Sequence, residues 1–207
     1  GAKLGECVAD STLIRMMGGF FYFSALKSYH AALAANPRAT LRIVVGMDVE
    51  LRHAQLVEVN PREPNEAGLT PLPSDREFVE RYLESLRIAV SAPELDIESF
   101  HERLPLFVEL LKADRLQIRR SRNVNYARAC LFDRDSGELL PQLDWVTGSM
   151  DLSRPTLPVR SQVEVGSCDF GAVELAAQFE ALWEDGALLT EDPAIKQKIL
   201  EILEHGS

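Results

Sequence analysis

Cysteine is scarce in this chain of 207 residues. Cys7, Cys130 and Cys168 stand far apart with no C-x-x-C pair, which excludes a zinc knuckle and a disulfide framework and leaves them as reduced residues expected in the core. No apolar run approaches the ~18 residues a membrane-spanning helix requires, and no signal or transit segment is evident, so a soluble, cytoplasmic protein is expected. Positive charge is in deficit: Lys and Arg number 22 against 32 Asp and Glu, a formal net charge of −10. That balance excludes broad, nonspecific adhesion to nucleic acid, which depends on many clustered cations. His30, His53, His101 and His205 fall in unrelated segments without metal-ligand spacing, so neither a metal nor a cofactor is expected. The phosphate loop G-x-x-x-x-G-K-[ST] is absent, and repeats and low-complexity tracts are absent as well.

What is present is enough apolar residue, 46%, to bury a core as one α/β domain spanning 1–207. Leu13 to Met17 reads as a short buried strand followed by Gly18 and Gly19; Ser24 then caps a helix that Asn36-Pro37 stops, and Leu41 to Val45 is a continuous apolar strand. Strand, helix and strand in that order predict a right-handed parallel crossover. Asp48 and Glu50 follow as paired carboxylates at the strand end. Pro61, Pro64, Pro71 and Pro73 mark an exposed loop. Ser74 and Glu77 form a capping box that opens a helix to about Ala89, and a second helix starts near Ile97, with Pro105 predicting a kink or a split. Arg115–Ser121, Ala127–Phe132, Leu143–Thr147 and Gln162–Cys168 read as strands, with Asp135-Ser136-Gly137 as a hairpin turn. An amphipathic helix from Val173 to Trp183 and another opened by Asp192-Pro193, ending at His205, complete the reading.

Within this frame, Tyr126, Arg128 and Asp133 stand at i, i+2 and i+7, followed by Gly148, Ser149, Met150 and Asp151, then Glu164. The arrangement resembles the phospholipase D superfamily, whose motif reads His-x-Lys, four residues, Asp, and later Gly-Ser-x-Asn. Gly18, Gly19, Phe20, Phe21 and Ser24 extend the resemblance to the opening of phospholipase D-like domains found at the N-terminus of bacterial helicase-like proteins and in some restriction endonucleases. The "FEALW" segment, Phe179 to Trp183, matches as a closing helix. The resemblance runs over about residues 9–186. It implies a mixed β-sheet flanked by helices on both faces, a homodimer that brings two motif copies together, and attachment to the helicase motor domain of a longer polypeptide.

The substitutions change the chemistry. An imidazole of pKa about 6.5 is a competent nucleophile near neutrality and a phenol of pKa about 10 is not, so Tyr126 in place of the family's histidine implies a degenerate site. Arg128 in place of lysine retains a permanent cation with a planar fork of donors, so phosphate binding outlasts turnover in this reading. Asp151 replaces the amide with a carboxylate, which repels phosphate and is expected to pair with Arg128, as is Glu164 in a purely structural role. Lys112, Arg115, Arg119, Arg120, Arg122 and Arg128 stand in a stretch whose one acid is Asp114. This strip reads either as a solvated helix end and edge strand or as a lip contacting DNA or RNA phosphates through Arg119, Arg120 and Arg122 beside Arg128 and Ser149. The expected function is a degenerate accessory module that binds nucleic acid or phosphate. An unorthodox phosphodiesterase using Tyr126, and a dimerisation scaffold, are the alternatives.

Overall fold

The computed structural model describes residues 2–20, 30–53, 55–60, 64–65, 68–69, 73–91, 97–122, 129–134, 142–148, 163–167 and 170–205. In chain order the elements are α1 (Ala2–Asp10), β1 (Ser11–Gly18), α2 (His30–Ala35), β2 (Thr40–Val45), β3 (Asp48–Arg52), β4 (Gln55–Val59), β5 (Pro64–Asn65) and β6 (Gly68–Leu69). These are followed by α3 (Asp75–Ser91), α4 (Ile97–Lys112), β7 (Leu116–Arg120), β8 (Ala129–Arg134), β9 (Gln142–Gly148), β10 (Val163–Ser167), α5 (Phe170–Asp185), β11 (Ala187–Leu188) and α6 (Pro193–His205).

Seven strands form one mixed sheet in the order β10-β9-β8-β1-β2-β7-β11. β1, β2 and β7 run parallel, with Ile14 opposite Leu41 and Ile43 opposite Ile118. β8 joins β1 antiparallel, Met17 lying opposite Ala129, and β9 and β10 continue the meander outward. The period of two along each strand divides the side chains between two cores. Ile14 and Met16, Leu41 and Ile43, Leu116 and Ile118, and Cys130 and Phe132 enter the larger core with Cys7 and Val8 of α1, Leu33 of α2, Tyr82 and Leu86 of α3, Leu110 of α4 and Leu203 of α6. Met17, Val44, Ala129 and Leu131 face the other way, against Phe179 and Trp183 of α5. Helices therefore cover both faces, and the central strands are apolar on both sides, as parallel strands require. Among the described residues no helix is long and apolar enough to cross a membrane.

Local signals explain most element ends. The capping box is realised: Ser74 N–H donates to Glu77 Oε2 at 2.7 Å, and Glu77 N–H donates to Ser74 Oγ at 3.3 Å. Asp192 Oδ1 accepts from Ala194 N–H at 2.8 Å and opens α6. α4 runs through the exposed Pro105 as one helix, so of the expected kink or split the split does not occur. Its C-terminal Asp114 adopts φ 56°, and Arg115 N–H returns to Leu110 O at 2.9 Å, a left-handed cap made by aspartate instead of glycine. Four features lie outside the sequence expectation: α1, the β3–β4 hairpin, the short β5–β6 pair inside the expected proline loop, and the edge strand β11. The helix start at Ser24, the hairpin turn at 135–137 and Cys168 fall outside the described residues; Cys7 and Cys130 are buried thiols, as expected.

Candidate functional site

The carboxyl ends of β1, β2 and β7 converge with the start of β8 and the end of β9. Met17 pairs with Ala129, Ala129 with Thr147, and Gly148 with Val163. The strand order also switches direction here: β2 and β7 extend one side of β1, and the chain leaving β7 returns to the other side, which β8 to β10 occupy. Crevices at such a switch in strand order, outside the carboxyl ends of parallel strands, are the usual ligand sites of open α/β sheets.

A glycine turn closes β1 at this end. Gly46 N–H donates to Gly18 O at 3.0 Å and to Gly19 O at 2.8 Å, and Met47 N–H donates to Gly19 O at 2.8 Å, so the turn's carbonyls are held by the chain leaving β2. Its amide side meets a carboxylate. Phe20 N–H donates to Glu58 Oε1 at 3.1 Å, and a Cβ at position 19 would come within 2.4 Å of Glu58 Oε2. A side chain at position 19 would push the Glu58 carboxylate aside, and glycine leaves it room.

Beside the turn, Arg120 is wholly buried. Its Nη2 donates to Asp48 Oδ1 at 2.9 Å, its Nη1 donates to Val45 O at 3.1 Å, and the guanidinium lies over the Phe78 ring, 5.6 Å from the centroid. Asp48 Oδ2 also faces Arg81 Nη1 at 3.6 Å. Desolvation lowers the pKa of Arg120 while Asp48 opposes the shift; an arginine stays protonated all the same. Burial likewise pushes the Tyr82 phenol well above its ordinary value of 10.0, which keeps it neutral. Val49 N–H donates to Ser85 Oγ at 2.9 Å, a second tie between the root of the β3–β4 hairpin and α3.

The basic strip is a set of internal ties wherever it is described. Arg119 grips Glu191 through Nε and Nη2 at 2.5 and 2.8 Å, donates to Trp183 O at 2.6 Å and stacks on the Trp183 ring at 4.4 Å. The Glu191 hydrogen bond raises its pKa. Arg122 holds Asp75 through Nε and Nη2 at 2.9 and 2.8 Å, and its Nη1 donates to Asp185 O. Arg115 donates to Ala39 O and Asn36 O, and Lys112 pairs with Glu204. The reading of Arg119, Arg120 and Arg122 as an open cationic lip meets three engaged guanidiniums, one of them without solvent access. Charge spacing along a chain registers cations, but their partners, Glu191, Asp48 and Asp75, come from distant segments.

Asp133 lies toward the far end of β8 from Ala129. Four residues of strand, about 13 Å, separate it from Ala129. There it accepts from Arg15 Nη2 at 2.7 Å, while Arg15 Nη1 pairs with Glu180 at 2.9 Å and the guanidinium lies 5.9 Å from the centre of the Phe179 ring. The motif aspartate thus ties β8 to β1 and α5. Tyr126, Arg128, Ser149 and Asp151 lie outside the described residues, and Glu164 is described as backbone in β10, with Gly148 as the last residue of β9. Of the paired carboxylates noted after β2, Asp48 is buried against Arg120 and Glu50 pairs with Arg52 at the surface. Glu58 has no signal in the sequence, because its partner is a backbone amide far earlier in the chain. Among the described residues no cluster of His, Cys, Asp or Glu is placed to hold a metal ion. Comparison with protein-family models and with curated proteins returns no match.

Proposed function

We propose that this chain is a catalytically degenerate, phospholipase D-like module that binds the phosphodiester backbone of nucleic acid, acting as a homodimer and as an accessory to a helicase-like motor in the same polypeptide. One observation carries the reading. Ala129, Gly148 and Val163, the described neighbours of Arg128, Ser149 and Glu164 in sequence, stand side by side at the carboxyl end of the parallel strands, next to the Gly18-Gly19 turn. The β8-β9-β10 meander by itself sets those three strand ends side by side; the antiparallel pairing of β8 with β1 is what puts them at the carboxyl end of the parallel strands, beside the glycine turn, where open α/β sheets usually bind ligands. Arg128 supplies the phosphate-binding fork, and Ser149 supplies a hydroxyl donor. Tyr126 supplies no nucleophile at neutral pH, since a phenol ionises near 10.

The test is binding and cleavage of labelled single- and double-stranded DNA and RNA at low salt with EDTA present. Binding without cleavage, weakened by Arg128→Ala, is the expected result. Cleavage abolished by Tyr126→Phe would replace this reading with a tyrosine phosphodiesterase. No binding, together with a dimer by light scattering, would leave a dimerisation scaffold, and a monomer at micromolar concentration would remove the dimer from the proposal.

A further inference from the structure

The turn that ends β1 already holds an anion, and the anion is the chain's own. The Glu58 carboxylate receives the Phe20 N–H at 3.1 Å and lies over the bare α-carbon of Gly19, where a Cβ would meet Oε2 at 2.4 Å, Cδ at 2.8 Å and Oε1 at 2.9 Å. Because Gly18 O and Gly19 O are committed to Gly46 and Met47 on the other side, the turn is rigid and its amide side is aimed at the carboxylate. A main-chain N–H beside a glycine with no side chain can donate to a phosphate oxygen as it does here to a carboxylate oxygen. The frame that carries Glu58 is fixed. The hairpin is rooted by Asp48 on Arg120 and by Val49 on Ser85, and Glu58 is the cross-strand partner of Val49, one pair from that root. The rooted hairpin backbone can therefore stay in place while the half-buried Glu58 side chain rotates away from the Phe20 amide.

We propose that the Gly18–Phe20 turn is a seat for a phosphate oxygen and that Glu58 is its built-in competitor, leaving the Phe20 amide when the phosphate enters. The choice of phosphate over other anions rests on the phosphodiester-binding reading given above. The seat adjoins the strand ends where that reading puts the ligand: Met17, immediately before the turn, pairs with Ala129. An internal carboxylate at this point also suits a chain of net charge −10, since it sets a threshold that only a ligand held by further contacts overcomes.

The test uses the full chain as wild type, Glu58→Gln, Glu58→Ala, and Glu58→Ala combined with Gly19→Ala. Inorganic phosphate and a short single-stranded DNA are titrated separately, with the Phe20 amide resonance followed by NMR and DNA affinity by fluorescence anisotropy. Removing the competitor is expected to tighten both ligands by about tenfold, the scale of one charge-assisted hydrogen bond. Glu58→Gln, which keeps an acceptor but loses the charge, falls between, and the added methyl of Gly19→Ala abolishes the gain. Circular dichroism establishes that each variant is folded, and Glu58→Gln carries the test if Glu58→Ala is not. A Phe20 amide that phosphate leaves unmoved in the folded Glu58 variants overturns the seat, even where DNA binding sensitive to Arg128→Ala persists. Movement with phosphate but no binding of DNA retains the seat for free phosphate and overturns the nucleic-acid reading instead.

Discussion

A buried guanidinium is tolerated only while its carboxylate is present, and Arg120 illustrates the asymmetry. Its side chain is wholly buried and that of Asp48 is 8% exposed, so deleting the carboxylate leaves a cation with no adequate solvent. Asp48→Ala is expected to destabilise the fold by about 3–5 kcal/mol, measured by urea denaturation, whereas Arg120→Met paired with Asp48→Leu is expected to recover most of that loss. Arg81 limits the recovery, because it approaches Asp48 from a half-exposed position and loses that carboxylate in the double variant. Arg120→Lys is not conservative here: one ammonium cannot reach both Val45 O and Asp48 in the plane that also faces Phe78. A double-mutant cycle with little coupling between positions 48 and 120 would contradict this account. None of it is legible in the sequence, where Asp48 reads as a carboxylate at a strand end and Arg120 as one cation in a strip.

Elements that depend on short-range chemistry were the most legible. Ser74 and Glu77 announce the start of α3 because both partners of the box lie within one turn, and the structure shows both bonds. The same box predicts acid sensitivity. The Ser74 backbone N–H holds the Glu77 carboxyl below its ordinary value of 4.5, and the Arg122 side chain holds the neighbouring Asp75 below 3.8. A depressed folded-state pKa contributes stability that is full above the unfolded-state value and is lost as pH falls through the folded-state value. Glu77→Gln is therefore expected to flatten the decline of the urea midpoint below about pH 4.5, without changing it near neutrality as much as Ser74→Ala, which removes a cap worth about 1 kcal/mol. An unchanged acid limb in Glu77→Gln would contradict the assignment. The β3–β4 hairpin was missed for the opposite reason. His53, beside its turn, has φ 52°, a region where glycine or asparagine is the usual signal, so the sequence carries no turn signature. His53→Gly is expected to raise stability by up to about 1 kcal/mol by relieving that conformation, as read from the denaturation midpoint.

At the scale of the molecule, hydrophobic periodicity was sufficient to anticipate an α/β fold with a parallel β1–β2 crossover, because continuous apolar runs such as Leu41 to Val45 are what strands covered on both faces require. The sequence offers a candidate site as an order of motifs, whose Tyr126, Arg128, Ser149 and Asp151 lie outside the described residues, and it misleads on the charge distribution. Summed along the chain, Lys112 to Arg128 is a basic strip; in three dimensions Arg119, Arg120 and Arg122 are matched by Glu191, Asp48 and Asp75. The difference is measurable through counterion release. Each phosphate neutralised on double-stranded DNA contributes about −0.9 to the slope of log K against log salt. An open lip of four arginines predicts a slope of about −4 per subunit, whereas the proposed site, in which Arg128 alone of the four contacts phosphate, predicts about −1 per subunit. Ser149 and the Phe20 amide add hydrogen bonds but release no ions. Fluorescence anisotropy with duplex DNA between low and physiological salt is expected to give the shallow slope, and Arg128→Ala to reduce it nearly to zero. Arg119→Ala is expected to leave the slope unchanged while lowering stability, since that arginine bridges Glu191, Trp183 O and the Trp183 ring. A steep slope that falls by one unit with each of Arg119→Ala and Arg122→Ala would show instead that these ion pairs open when the polymer binds.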